Sequence, residues 1–369
     1  MDVNVIASLK RSIINRNGLI KLETEELEDL QYAFYLRHSK GLEKQFYTSS
    51  PSKCFDVSFD KGDYLGTFYY MYNKKRVSFK VNFYIDDQKN LVELNLKNIV
   101  EEVGYKIDYY SVGSKKTFIV FNGAGSTKTA NPFGLNYLVK NGFNVVSCLQ
   151  NDNQYQELSF KDFEKYIYPL VHNHDVYLYG SSLGGYCALY YAGAVNGTVI
   201  SAAPRNSSHP LLVDQLKDKS YFGNQEFKHL SFNENKISSK DIYIFFDPHV
   251  KEDVYFIDNV VKSNFENIKL FECNHSGHQV LYHLNKTKQL GNVLKSITNG
   301  LDPVIDEIES CYTYIGKAKY YFSRKDYEKA VFFSEKSLED KFIDEKFRLR
   351  FEKLHEAAVR NYELSKNTL

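Results

Sequence analysis

Residues Val176 to Tyr190, VYLYGSSLGGYCALY, constrain the fold of this chain more tightly than any other segment. The β-branched and aromatic residues before Gly180 read as a buried strand, and Tyr186 to Ala194 reads as a helix. Only a sharp turn joins the two. Gly180 and Gly184 stand where a Cβ would clash, so the Ser182 hydroxyl is carried above the sheet and beside a helix N-terminus. A strand that feeds directly into a helix calls for parallel neighbours, and residues 113–300 supply them. Strands are expected at Thr117 to Phe121, Asn144 to Leu149, Thr198 to Ala202, Asp241 to Phe246 and Ile268 to Glu272. Helices are expected at Pro132 to Asn141, Lys161 to His172 and Gln279 to Ile297, with right-handed crossovers.

A serine presented in this way becomes a nucleophile only with a base and an acid that orients the base, in the chain order Ser, Asp or Glu, His. The strand DIYIFF runs into Asp247-Pro248-His249, which makes Asp247 the first candidate acid; Asp253, six residues on, is the alternative. The strand ending at Glu272 is followed by CNHSGH, where His278 directly follows Gly277 and is the candidate base ahead of His275. His172, His174, His209 and His249 read as loop or surface histidines. The strand KTFIVF ends in Asn122-Gly123-Ala124-Gly125-Ser126, whose glycines let amides converge on a developing oxyanion. Ala124, with Gly123 close behind, and Leu183 are the candidate donors. Between Pro204 and Lys240 the alternation breaks into polar and aromatic residues, as in a lid or cap. Arg205 directly follows a strand, where it could meet an anionic group of a substrate.

The sequence offers little to nucleic acid or metal. Its 369 residues carry a net charge of +1 with no sustained Lys/Arg stripe, which argues against a phosphate-backbone binder. No Cys/His metal spacing, dinucleotide fingerprint or P-loop occurs, so no resident cofactor is expected. The five cysteines are scattered and read as reduced core residues. No run of about 18 apolar residues and no secretory-type leader is evident, so a cytoplasmic setting is the expectation.

The flanks differ from the centre. Residues 1–112 are read as a helical stretch over Leu22 to Ser39, with Leu22, Leu27, Leu30 and Phe34 on one face. Strand-like runs Lys53 to Phe59, Tyr64 to Tyr72 and Arg76 to Ile85 follow, an antiparallel meander turning at Asn73-Lys74-Lys75. With 30 tyrosines in the chain, its rings also suggest ligand stacking. Residues 301–369 hold 27 charged residues and one glycine, Gly316, and are expected to be helical. There Tyr314, Ala318, Tyr321, Tyr327, Ala330 and Ser337 resemble one tetratricopeptide-type hairpin, which would pack on the rest of the chain or dock a protein partner or second copy.

With GSSLGG, FNGAGS, FFDP and NHSGH in hand, residues 113–300 resemble the α/β-hydrolase superfamily. YGSSLGGY and the insert after AAPRN are further similar to its members associated with bacterial capsule and other surface glycans, among them O-acetyltransferases and esterases. The resemblance implies an α/β-hydrolase core with a mostly parallel sheet, flanked by an antiparallel β-rich region and a helical extension. It also implies a covalent acyl-enzyme on Ser182, with water or a sugar hydroxyl as acceptor and, for transfer, an acyl donor such as acetyl-CoA. The chain lacks the family's common His-Gly oxyanion motif.

Overall fold

The computed structural model describes residues 3–85, 88–215, 226–339, 343 and 345–366. They fall into two compact units, one of residues 1–97, 109–114 and 136–144, the other of 98–108, 115–135 and 145–369. In the first, α1 (Val3–Ser8) precedes β1 (Arg11–Arg16), β2 (Leu19–Thr24), β3 (Gln31–His38), β4 (Gly41–Thr48), β5 (Ser52–Ser58), β6 (Gly62–Tyr72), β7 (Lys75–Ile85) and β8 (Leu91–Glu93). These strands make two antiparallel sheets, ordered β1-β2-β5 and β4-β3-β6-β7-β8. Of the expected meander, the β6–β7 hairpin is present, joined through Asn73 and Lys74, both at positive φ as a two-residue turn requires; the run Lys53 to Phe59 instead forms β5, which pairs with β2 in the other sheet.

The helix expected over Leu22 to Ser39 is absent; the segment is the end of β2, a turn and β3. Leu27, Leu30 and Phe34 fit helical spacing, but Tyr32, Phe34 and Leu36 also repeat every second residue, and all three are buried. The strand period prevails because Tyr32 and Phe34 lie opposite Tyr70 and Phe68 of β6. Their rings meet edge to face at 5.9 and 5.7 Å, an aromatic cross-strand pairing that a helix would forfeit.

The large sheet comprises β9 (Asn95–Glu101), β10 (Tyr105–Ser111), β11 (Lys116–Phe121), β12 (Asn144–Gln150), β13 (Asp175–Ser181), β14 (Thr198–Ala202), β15 (Ile242–Phe246) and β16 (Ile268–Glu272). Their order is β16-β15-β14-β13-β11-β12-β10-β9, with parallel pairing from β11 through β13, β14 and β15 to β16. This is a mostly parallel α/β core. The order reverses at β11, whose neighbours are β12 and β13, so the ends of β11 and β13 flank a switch point where open α/β sheets bind ligands. Between strands lie α2 (Leu135–Lys140), α3 (Phe160–Val171), α4 (Leu183–Val195), α5 (Pro210–Gln215) and α6 (Lys251–Phe256), the last continued by a π turn over Ile257–Val261. Every residue of α4 is buried; its Tyr191 stacks on Phe163 of α3 at 4.4 Å and on Phe121 of β11 at 5.5 Å.

The single helix expected from Gln279 to Ile297 is two, α7 (Val280–Lys286) and α8 (Leu290–Thr298), because Lys288 between them adopts positive φ. Beyond them α9 (Cys311–Ser323) and α10 (Tyr327–Leu338) are two helices packed on each other, and α11 (Glu345–Lys366) is a third helix that a one-hairpin reading omits. Small buried residues, Ala318, Ala330, Ser334 and Ser337, let these helices approach closely. Cys311, Ile315, Ile343 and Phe351 form their apolar centre. Within the lid-like insert, residues 216–225 lie outside the described residues.

Candidate active site

Ser182 sits between β13 and α4 with φ 56° and ψ −121°, a conformation that costs free energy for any residue with a side chain and concentrates at functional sites. Three backbone bonds hold it: Ser182 N–H donates to Ala202 O at 2.9 Å, and Arg205 N–H and Tyr186 N–H donate to Ser182 O at 3.2 and 2.9 Å. The tight turn depends on its glycines. A Cβ on Gly180 would lie 2.3 Å from the Gly184 carbonyl carbon, and one on Gly184 would lie 2.4 Å from Phe121 O. The second of these contacts brings the end of β11, with the start of the following loop at Asn122, against the first turn of α4.

Ser182 Oγ lies 2.8 Å from His278 Nε2. On the other side of the ring, His278 Nδ1 lies 2.9 and 2.8 Å from the two carboxyl oxygens of Asp253. A carboxylate only accepts, so Nδ1–H donates to it and Nε2 is left to accept the Ser182 hydroxyl proton. Asp253 stands in the first turn of α6 with no exposure to solvent, and Arg205 Nη1 reaches it at 3.1 Å. The guanidinium meets the carboxylate of the chain itself.

Asp247, the first-choice acid, is elsewhere. Its Oδ1 accepts from the His249 N–H at 3.0 Å and lies 2.8 Å from His249 Nδ1, while its Oδ2 accepts from the Gly277 N–H at 2.7 Å. The chain leaving β15 first makes a turn at Asp247-Pro248, closed by Val250 N–H donating to Asp247 O. That turn consumes the first carboxylate in bracing the loops after β15 and β16; the second, one helix start later, reaches the imidazole. Asp, Pro and an amide two residues on are the marks of such a turn, and they were the sequence signal for assigning Asp247 this role. His275 is also not at the serine: its ring stacks on His249 at 4.7 Å, with Tyr320 of α9 edge-on to both at 5.2 and 4.4 Å.

The loop after β11 is held by its own polar groups. Asn122 N–H donates to the Tyr155 hydroxyl, Asn122 Nδ2 to Asn131 O, Phe133 N–H to Asn122 Oδ1, and Gly125 N–H to Asp152 Oδ1, all between 2.8 and 3.0 Å. Gln150 Nε2 reaches Gly123 O at 3.3 Å. Ala124 and Gly123 thus stand on a fixed loop next to the helix that Leu183 begins.

Two further features were not legible in the sequence. His229, inside the polar insert, is buried behind α4, stacked on Tyr190 at 4.2 Å and bonded to the Tyr186 hydroxyl and Tyr155 O at 3.0 Å each; burial pushes its pKa down to about 4. Gly316 of α9 touches the His275 carbonyl so closely that a Cβ there would lie 1.8 Å from the oxygen. Both depend on long-range packing. The thiols of Cys148 and Cys187 are pushed well up by burial, which removes them as nucleophiles near neutral pH. Among the described residues no group of three or more His, Cys, Asp or Glu is placed to hold a metal ion, and no helix is long and apolar enough to cross a membrane.

No protein-family model and no curated protein matches the chain. Solved structures do. A capsule O-acetyltransferase of Neisseria meningitidis serogroup A is similar over 58% of this chain and 98% of its own, at 16% identity and a TM-score of 0.39. An α/β hydrolase enzyme from the metagenome of lagoon sediments of Mar Chica, Morocco, covers 56% and 99% at 15% identity and 0.37. Est1E from Butyrivibrio proteoclasticus, with ferulic acid bound, covers 55% and 99% at 13% identity and 0.38.

Proposed function

We propose that this chain is a serine-dependent acyl-ester enzyme in which Ser182, His278 and Asp253 act as nucleophile, base and orienting acid. The observation that carries the reading is the continuous run from Ser182 Oγ through both imidazole nitrogens to a fully buried carboxylate, each step within 2.9 Å. His278 Nε2 takes the Ser182 proton as Oγ attacks an ester or thioester carbonyl, and Asp253 stabilises the imidazolium. The amides of Leu183 and Ala124, with Gly123 as the alternative, stabilise the oxyanion. His278 then returns the proton to the leaving oxygen or sulfur, and an acceptor hydroxyl frees the acyl group.

The acceptor we propose is a carbohydrate hydroxyl, as on a bacterial surface glycan, with hydrolysis of an O-acyl sugar as the same chemistry run onto water. Support comes from the first unit, where Tyr35, Tyr47, Tyr69 and Arg76 surround a cavity of about 210 Å³. The Tyr35 and Tyr69 rings lie 4.7 Å apart; phenol faces with a polar tip suit the mixed apolar and hydroxyl surface of a sugar. The test is incubation with an acetyl donor, with and without candidate glycans, followed by mass analysis of the glycan. Acetylated glycan formed by wild type and not by Ser182→Ala supports transfer; acetate release alone, unaffected by any glycan, rejects the carbohydrate acceptor.

A further inference from the structure

A second cavity, of about 290 Å³, opens between the loops after β15 and β16 and the helices α9 and α11. Neither Ser182, His278 nor Asp253 lines it. Its walls combine three chemistries. Tyr282, Tyr312, Tyr320 and Phe347 contribute flat aromatic surface, Lys319 and Arg350 contribute cationic groups, and His249, His275 and His283 contribute imidazoles. The one carboxylate in the lining, Asp247, is already engaged by His249 and the Gly277 amide.

Both cationic residues are exposed to solvent. No carboxylate pairs with Lys319 or Arg350 among the described residues, and Arg350 instead lies over the Phe347 ring. Partial loss of solvent around the Lys319 ammonium, and then the nearby Arg350 guanidinium, push its pKa down; a bound anion would offset both by favouring the charged ammonium. A pocket of this size with aromatic walls and a few convergent polar groups is the usual form of a small-molecule site.

We propose that this cavity is a binding site for a small anion carrying a planar ring, of the nucleoside monophosphate or aryl phosphate class, separate from the reacting serine. The ring lies between the tyrosines and Phe347, and the phosphate lies against Lys319 and Arg350. The site does not depend on Ser182 chemistry. Its location is still consequential, because Gly316 and Tyr320 of α9 press on His275, three residues before His278.

The experiment is titration calorimetry on the full chain with AMP as the probe, and with adenosine and inorganic phosphate as comparators. AMP is expected to bind at one per chain with a dissociation constant below about 1 mM, and each comparator at least about tenfold more weakly. Lys319→Gln and Arg350→Gln should each weaken AMP about tenfold, while Ser182→Ala binds as wild type does. AMP should also raise the melting temperature of wild type more than that of Lys319→Gln, while the two melt alike without AMP, which separates a weakened site from a damaged fold. The proposal is overturned if AMP does not bind, if adenosine binds equally well, if neither cation substitution weakens binding, or if Ser182→Ala abolishes it.

Discussion

Gly316→Ala isolates the link between the C-terminal helices and the candidate base. Gly316 lies within α9, and the added methyl would sit 1.8 Å from the His275 carbonyl oxygen and 2.9 Å from its carbon. Real Cβ contacts essentially never fall under 3.0 Å, so the helix or the loop must move by at least 3.0 − 1.8 = 1.2 Å. Neither obstacle is a side chain that can rotate away. Two stability effects oppose each other: Ala is better than Gly in a helix interior by about 1 kcal/mol, and overpacking costs about 1–3 kcal/mol. The net change in unfolding free energy should therefore stay within about 2 kcal/mol. The rate should change far more, since a shift of about 1 Å in catalytic geometry can cost about 100-fold, and His278 is only three residues from the displaced carbonyl. The assay is kcat/KM for an activated acetyl ester beside a denaturant melt. A near-native melt with a rate down about 100-fold is the expected result. A variant as fast as wild type would refute the argument that α9 fixes the His278 loop.

Asp253→Asn should lower kcat/KM by about 10⁴, because an amide in place of the carboxylate favours the wrong imidazole tautomer. Asp247→Asn, which perturbs loop-bracing bonds only, should stay within about tenfold and lose about 1–3 kcal/mol of stability; the reverse ranking would return the acid role to Asp247. Arg205→Ala should leave the fold intact yet reduce the rate, with partial rescue by Arg205→Lys, and an unchanged rate would remove Arg205 from the positioning of Asp253. His229 has its pKa lowered from 6.5 to about 4 by burial, so the unfolded chain binds the extra proton first and stability falls as pH drops from about 6.5 to about 4. The full shift is worth about 3 kcal/mol. His229→Gln should flatten the pH dependence of the melt over that window, and an unchanged slope would refute the assignment.

The sequence showed the parts of this protein that local pattern dictates. β11, β13, β14, β15 and β16 announce themselves as short apolar runs, and the elbow announces itself because Gly180 and Gly184 have no substitutes. Leu22 to Ser39 was opaque because its apolar residues satisfy two periods at once, and only Phe68 and Tyr70 on β6 choose between them. The choice between Asp247 and Asp253 was similarly open, since six residues separate a turn carboxylate from a helix carboxylate and nothing local says which one faces His278. Arg205 on Asp253 and Gly316 on His275 join positions 48 and 41 residues apart (253 − 205; 316 − 275). Such contacts are set by how whole elements dock.

The most direct measurement is labelling of the full chain with a fluorophosphonate probe, with the modified residue located by peptide mass analysis. An activated Ser182 should be labelled in wild type, much more slowly in His278→Ala and not in Ser182→Ala. A wild-type chain that stays unlabelled, or label that persists in Ser182→Ala, would contradict the claim that Ser182 is a nucleophile.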